Sequence, residues 1–243
     1  MYDLMAISVI QINLNKSRKS LDNLYSYLVR NPNTIGIVQE IYNFKGVIPR
    51  HRDFNIFGPH PAGRAAIIAP KHLPILAVSH LSSADYTVVL LETENRSQFI
   101  CSIYLDIKLK VIGPELVNIC NFFRNNNSNA IIGVDSNSWS PLWGSEESNS
   151  RGLELEIFLF ENNLFIHNKG SAPTFQTSRA ESTIDLTISH GESNHKYGWH
   201  ILADYFFSDH KAIKFQMTMD KISQPTVNVV NWSNFKEALV IND

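Results

Sequence analysis

Apolar residues along this chain fall into short runs rich in β-branched side chains, each closed by turn-forming residues. The runs are Met5–Ile12, Thr34–Val38, Ala65–Ala69, Thr87–Leu91, Phe99–Tyr104, Ala130–Val134, Thr183–Ile188 and Ala212–Met217. Their lengths and composition predict strands. Three other stretches repeat with helical spacing. Lys19–Arg30 sets Leu21, Leu24, Tyr25 and Leu28 on one face. Pro114–Arg124 opens on a helix-starting proline and carries Leu116, Val117, Cys120 and Phe123, and Gly152–Asn162 carries Leu153, Leu155, Ile157, Phe158 and Leu159. Strands outnumber helices and come in runs, so strict βαβ alternation is not expected. The pattern predicts an α/β (α+β) fold, a four-layered sandwich in which two mixed, mainly antiparallel sheets pack face to face between helices.

Residues 1–220 read as one domain, with no internal repeat or low-complexity block. Residues 221–243 begin with a Pro-containing link and read as a tail leaving it. Apolar residues make up 44% of the 243 and charged residues 18%, which supports a sizeable core. A net charge of -2 argues against a uniformly basic nucleic-acid binder, but not against a nuclease with a local basic patch and a bound cation. Cys101 and Cys120 sit in apolar contexts without CxxC spacing and read as buried reduced thiols, which suits an intracellular compartment. No apolar run reaches the ~18 residues of a membrane span, and the opening MYDLMAISVIQIN reads as a strand, not a signal peptide.

The chemistry gathers where the strands stop. The first run ends Gln11-Ile12-Asn13-Leu14-Asn15 and the second ends Gln39-Glu40. Another closes on Tyr104, and AIIGV is followed by Asp135-Ser136-Asn137. Asp185 follows Ser182-Thr183-Ile184, and Ser208-Asp209-His210 precedes the last strand. Each alone reads as a turn or a solvated end. Loops at one edge of a sheet converge, however, so together they make a candidate site. Glu40 with a second oxygen donor suits Mg²⁺, Asp185 and His210 can orient each other, Asp135 can take a proton from water, and Asn137 and Asn13 can donate to a phosphate oxygen. Those are the parts for metal-assisted phosphodiester hydrolysis. The chain lacks GxSxG, HExxH and Walker-loop motifs, and His167, His190, His195 and His200 have no metal-ligand spacing.

In combination and order, Gln11-x-Asn13, Gln39-Glu40, Tyr104, Gly133-Val134-Asp135-x-Asn137, Ile184-Asp185 and Ser208-Asp209-His210 resemble the endonuclease/exonuclease/phosphatase superfamily. Ser136-Asn137-Ser138-Trp139-Ser140-Pro141-Leu142-Trp143-Gly144, Asn149-Ser150-Arg151-Gly152 and Pro173-Thr174-Phe175 narrow the resemblance. They look like the apurinic/apyrimidinic-like endonuclease domain of insect-type non-LTR retrotransposons. Val230-Asn231-Trp232-Ser233-Asn234-Phe235 looks like the link from such a domain toward a reverse transcriptase.

The resemblance implies a monomeric domain of a polyprotein that nicks one strand of double-stranded DNA. The product is a 3′-hydroxyl that primes reverse transcription of the element RNA, in the nucleus after cytoplasmic synthesis. It implies Mg²⁺, with Mn²⁺ as a substitute, on Glu40 with Asn15 and Asp209 near the ion. Asp135 would align or activate water with Asn137 beside it, and His210, oriented by Asp185, would contact the scissile phosphate. Tyr104 and Asn13 would position phosphate or neighbouring groups, and Thr174 and Ser182 would contact the DNA backbone. Asn15 departs from the repair enzymes, which carry Asp there, so the metal site should be weaker.

Target choice would lie in loops. Candidates are Lys16–Lys19, Ile48–Arg52, Lys108–Lys110, and a hairpin within Gly170–Glu181 that brings Arg179 to a groove. Two other readings compete. One is a phosphohydrolase of the same superfamily acting on inositol phosphates or lipid headgroups, and the other is a non-catalytic nucleic-acid-binding or scaffold module.

Overall fold

The structure is a computed structural model that describes residues 4–58, 63–93, 96–191 and 197–220. The expected tail 221–243 with Trp232, and His195, lie outside the described residues. With strands numbered in chain order, the first sheet runs β13 (Tyr197–Ile201), β14 (Ile213–Asp220), β1 (Leu4–Asn13), β2 (Thr34–Gln39), β4 (Ala65–Pro70), β3 (Phe54–Phe57). The second runs β5 (Ile75–Ala77), β6 (Tyr86–Glu92), β7 (Ser97–Tyr104), β8 (Ala130–Asp135), β12 (Asp185–His190), β9 (Leu164–Ile166). A separate hairpin joins β10 (Phe175–Gln176) to β11 (Glu181–Ser182). The helices are α1 (Arg18–Arg30), α2 (Pro114–Asn125) and α3 (Ser150–Glu161).

Each sheet contains one parallel pair. β1 pairs with β2 across α1, β7 pairs with β8 across α2, and the remaining pairings are antiparallel. A parallel pair needs a crossover, and in both cases a helix supplies it. Ser17 caps α1 by accepting the Ser20 N–H, and the buried face carries Leu21, Leu24 and Leu28 as its spacing predicts. That face covers Ile10, Ile12, Val38 and Ile68 on the outside of the first sheet. α2 and α3 cover Cys101, Ile103, Ile132, Val134 and Leu186 on the outside of the second, where Cys101 and Cys120 are buried and unbonded. Val9, Ile35, Ile37, Ile67, Val89, Ile100, Ile131 and Phe215 fill the space between the sheets. The order helix, sheet, sheet, helix is the predicted four-layered sandwich. Among the described residues no helix is long and apolar enough to cross a membrane.

Strand parity then fixes the site. Side chains alternate between faces, so the residues two steps beyond Val9, Ile37 and Ile131 also point between the sheets. Those residues are Gln11, Gln39 and Gly133, and two steps further again lie Asn13 and Asp135. The inter-sheet layer therefore changes from aliphatic to amide to acid toward one edge. The amides clamp the sheets together. Gln11 Nε2 donates to Leu186 O at 3.1 Å and Val134 O at 3.3 Å, and Thr187 Oγ1 donates to Gln11 Oε1 at 3.0 Å. Gln39 Nε2 donates to Gly133 O at 3.1 Å. Gly133 is glycine because the clamp leaves no room, and a Cβ there would lie 2.6 Å from Ile37 Cγ2 and 2.9 Å from Gln11 Cδ. Gly133→Ala is expected to lower stability by ~1–3 kcal/mol through overpacking. A urea titration checks this, and an unchanged midpoint would contradict so close an approach.

Candidate active site

Asn13 is the hub. It ends β1 inside the sandwich, almost fully buried. Its amide donates to Asp135 Oδ2 at 2.8 Å and, at 3.4 Å, to Glu40 Oε2, while its Oδ1 accepts the Asn15 N–H at 2.7 Å. Both Asn13 donors thus face carboxylates and set their spacing, a different use from the direct phosphate contact its residue type suggested. Glu40 follows β2 at φ 45°, and Asn15 and Lys16 follow β1 at φ 47° and 51°. A β-strand cannot continue through left-handed residues, so both strands stop here and turn their next side chains toward the edge. Lys16 N donates to Glu40 O, tying the two turns together, and Lys16 Nζ lies 3.1 Å from Glu40 Oε1. Asp209 is half-buried beside Ser208, whose hydroxyl donates to Asn13 O at 2.7 Å. Asn13 thus accepts the Asn15 N–H on its side-chain oxygen and the hydroxyl of Ser208, the neighbour of Asp209, on its main-chain oxygen.

Asp185 stands opposite Asp135 across the antiparallel β8–β12 pair, and Tyr104 stands opposite Asp135 across the parallel β7–β8 pair. His210 Nδ1 lies 2.9 Å from Asp185 Oδ2 and Nε2 lies 4.0 Å from Asp135 Oδ2. A carboxylate only accepts, so Nδ1 carries a proton and donates to Asp185. Burial alone would lower the His210 pKa, but the charge and hydrogen bond of Asp185, with Asp135 and Asp209, raise it to about 9. Burial, then the Asp185 charge, push Asp135 up to about 7, against the opposing pull of His210 and Asn13. Asp185 Oδ1 has no hydrogen-bond partner among the described residues.

The predicted hairpin is present and is fastened to this array. Gln176 N donates to Asp209 O at 2.8 Å and Lys211 N to Thr174 O at 2.7 Å, and the Phe175 ring meets His210 edge-on at 5.1 Å. Thr174 is fully buried, and its Oγ1 accepts the N–H groups of Ile184 and Asp185, both at 3.1 Å. That gives it a different task from the DNA-backbone contact the resemblance implied, because it sets the start of β12 and hence the Asp185 side chain. It also explains why that strand begins two residues later than its apolar run predicts. Ser182 is half-buried in β11, and Arg179 is exposed at the hairpin tip.

Two arginines were missed as site residues. Arg64 donates to both oxygens of Asp85 at 2.6 and 2.5 Å and to Asp106 at 2.6 Å, with its guanidinium 4.4 Å from the centroid of the Tyr104 ring. It thus fixes Tyr104, whose pKa burial, Glu40 and Asp135 raise to about 12, keeping the phenol protonated as a donor. The only sequence signal was a lone cation directly before the Ala65 strand. Arg151, noted as part of a motif, donates to Leu109 O at 2.6 Å, Asn137 O at 3.2 Å, and Leu105 O and Ser136 O at 3.3 Å. It holds the turn that places Asn137 at φ 47°, with Asn137 Nδ2 donating to Leu105 O. Gly152 beside it is obligatory, since a Cβ would fall 1.8 Å from Trp139 O. The Ser-x-x-Trp and Arg-Gly segments are accordingly a brace for Asp135-x-Asn137, with Trp143 Nε1 donating to Ser138 O at 3.1 Å.

The donor chemistry fits a divalent cation. Glu40, Asn15 and Asp209 offer only oxygens, as a hard cation needs, and the Glu40 carboxylate has already drawn the Lys16 ammonium onto itself. Asp135, Asp185 and His210 also have ligand atoms within 4.8 Å of one another. Their direct Asp185–His210 bond and deep burial leave no space for an ion's waters, so they suit proton sharing instead. A cleft of about 570 Å³ lies elsewhere, beside α1 among Arg18, Tyr25, Arg30 and Arg50. A duplex phosphate needs the open sheet edge rather than such a cleft.

The Endonuclease-reverse transcriptase family profile matches residues 98–214. The endonuclease domain of TRAS1, a telomere-specific non-LTR retrotransposon, superposes with a TM-score of 0.77 at 26% identity, covering 87% of this chain and 98% of that one. A Pol polyprotein from the type-1 retrotransposable element R1 of Bradysia coprophila is 25% identical over 182 residues, 69% of this chain and 18% of its own length. A putative 115 kDa protein of element R1DM in Drosophila melanogaster is 26% identical over 260 residues, 97% of this chain and 25% of its own length. The chain thus spans a quarter or less of these two relatives. Fold and site together define a member of the endonuclease/exonuclease/phosphatase superfamily. Within it, the chain is similar in sequence and structure to the endonuclease domains of non-LTR retrotransposons named above.

Proposed function

We propose that this chain is a Mg²⁺-dependent DNA endonuclease, accepting Mn²⁺ as a substitute, that nicks one strand by in-line attack of water. The P–O3′ bond breaks and leaves a 3′-hydroxyl from which reverse transcription is primed. The observation that carries this reading is one sheet edge at which Asn13 links Glu40 to Asp135 while His210 lies between Asp135 and Asp185. A cation held by Glu40, with Asn15 and Asp209 beside it, would supply positive charge at a phosphate oxygen.

The chain's own groups do the rest. Asp135 accepts the proton of the attacking water, and Asn13 and the Asn137 N–H hold its carboxylate in place. His210, kept protonated by Asp185, donates from Nε2 to the phosphate and offsets charge as the phosphorane forms. Tyr104 donates from a phenol that stays protonated, and Asn137 flanks the water. The hairpin brings Ser182 and Arg179 toward the duplex, Arg179 entering a groove. In the cell the domain would act on nuclear DNA as part of a polyprotein with a reverse transcriptase that copies the element RNA.

Supercoiled plasmid with Mg²⁺ is the test, and the expected product is a nicked circle that a DNA polymerase extends from the new end. Release of phosphate from inositol phosphates with no change in the plasmid would establish the phosphohydrolase reading instead. Single-turnover nicking is expected to rise with pH through about 7, as Asp135 gives up its proton, and to fall above about 9 as His210 loses its own. A flat profile from pH 6 to 10 would contradict these roles.

A further inference from the structure

Beside the catalytic edge, the segment before Ser208 exposes aromatic rings that neither the core nor the chemistry above uses. Phe206 is the anchor, buried with its ring edge-on to Tyr27 at 5.5 Å. Its two neighbours point the other way. Tyr205 is 69% exposed and Phe207 37%, and their rings meet edge-on with centroids 5.0 Å apart. Lys19 places Nζ 3.7 Å from the centre of the Phe207 ring.

Phe207 is held there against its backbone preference. Its φ is +58°, a conformation that costs free energy for a bulky residue and persists only where the surroundings enforce it. The enforcement is visible on both sides. Ser20 Oγ donates to Phe207 O at 2.6 Å, and Ser208 Oγ donates to Asn13 O at 2.7 Å. One bond ties the segment to the first turn of α1 and the other to the hub of the catalytic array. The rings are thereby fixed two or more residues from Asp209 and His210, with Lys19 of α1 against Phe207.

Single exposed apolar residues are ordinary on protein surfaces. An aromatic pair in an enforced conformation, with an ammonium on one ring face, is a different arrangement. Aromatic faces stack on nucleobases whatever the sequence, and flanking cations follow the phosphates.

We propose that Tyr205 and Phe207, with Lys19, form a subsite for the base of a nucleotide flanking the cleaved phosphodiester, engaged when that base is partly unstacked from the duplex. The subsite rests on the DNA endonuclease reading above. Lys19 covers one face of Phe207, so the base stacks against the Tyr205 ring and the open face of Phe207. The ammonium then serves the adjoining phosphate. A protein partner or a membrane would not need the rings fastened to the catalytic hub.

The test uses the full chain and duplexes carrying 2-aminopurine at successive positions around the mapped nick, with Ca²⁺ replacing Mg²⁺ to slow cleavage. Wild-type protein is expected to change 2-aminopurine fluorescence at one or two positions next to the nick. Tyr205→Ala and Phe207→Leu should each abolish that change and weaken duplex binding about 10-fold, with the slope of log affinity against log salt preserved. Lys19→Met should keep the fluorescence change and reduce that slope by about one. Tyr205→Trp should restore both signal and affinity, which separates stacking from loss of fold. Variants that bind and report like the wild type, while wild-type plasmid nicking proceeds, would overturn the subsite and leave the endonuclease reading standing. A wild-type chain that neither nicks nor binds duplex overturns both.

Discussion

Asp135→Asn is expected to slow plasmid nicking by ~10²–10⁴-fold without lowering the melting temperature at pH 8. Asparagine fills the same volume at the end of β8, and its carbonyl oxygen can still accept from Asn13, which lies 2.8 Å from Asp135 Oδ2. It cannot accept a proton from water. The stability half of the prediction follows from linkage. Burial and the Asp185 charge raise the folded pKa of Asp135 from 3.8 to about 7. A carboxyl raised in this way destabilises the folded state progressively across that interval, and the cost is complete above it. Removing the charge relieves the cost, so the variant should be at least as stable as the wild type at pH 8. Loss of nicking together with loss of fold would point to a structural role, and wild-type nicking would exclude Asp135 as the base.

His210→Ala is expected to reduce nicking by ~10²–10³-fold, the usual consequence of losing a donor to transition-state charge. Here stability should fall as well, by ~3–5 kcal/mol near pH 6, because Asp185 is left buried without its partner. The pH window again follows from the shift. The folded pKa of His210 is raised from 6.5 to about 9, so its contribution is fully present below 6.5 and is lost as pH rises through about 9. Urea titrations of both proteins at pH 6 and pH 9.5 should show the gap narrowing. A gap that stays constant would mean that His210 packs there as a neutral ring.

Interior strands and all three helices were legible because each buries enough apolar surface to impose a period on its sequence. β1, β2, β4, β6, β7, β8, β12 and β14 fall within a few residues of their predicted runs. The short strands β3, β5, β9 and β13 lie toward the sheet edges, where one neighbour is solvent and polar residues interrupt the pattern. The β10–β11 hairpin has two residues per strand, too few to show any period, and was legible only as turn chemistry.

For the site, the sequence by itself determined the inventory. A strand presents its terminal side chains at a sheet edge, so Asn13, Glu40, Tyr104 and Asp135 where strands stop, and Asp185 near the start of another, could be named before any coordinates. Only the tertiary structure decided what each one holds. Asn13 meets Asp135 across 122 positions of chain because the sheets stack with Gln11 and Gln39 clamped between them. Thr174 turns inward to Asp185, Arg64 stacks on Tyr104, and Arg151 braces Asn137 by bonding four carbonyls from two segments. Such bonds form between groups with no shared period or spacing along the chain. Periodicity therefore records which face a residue occupies, while its partner across the layer is fixed by packing alone.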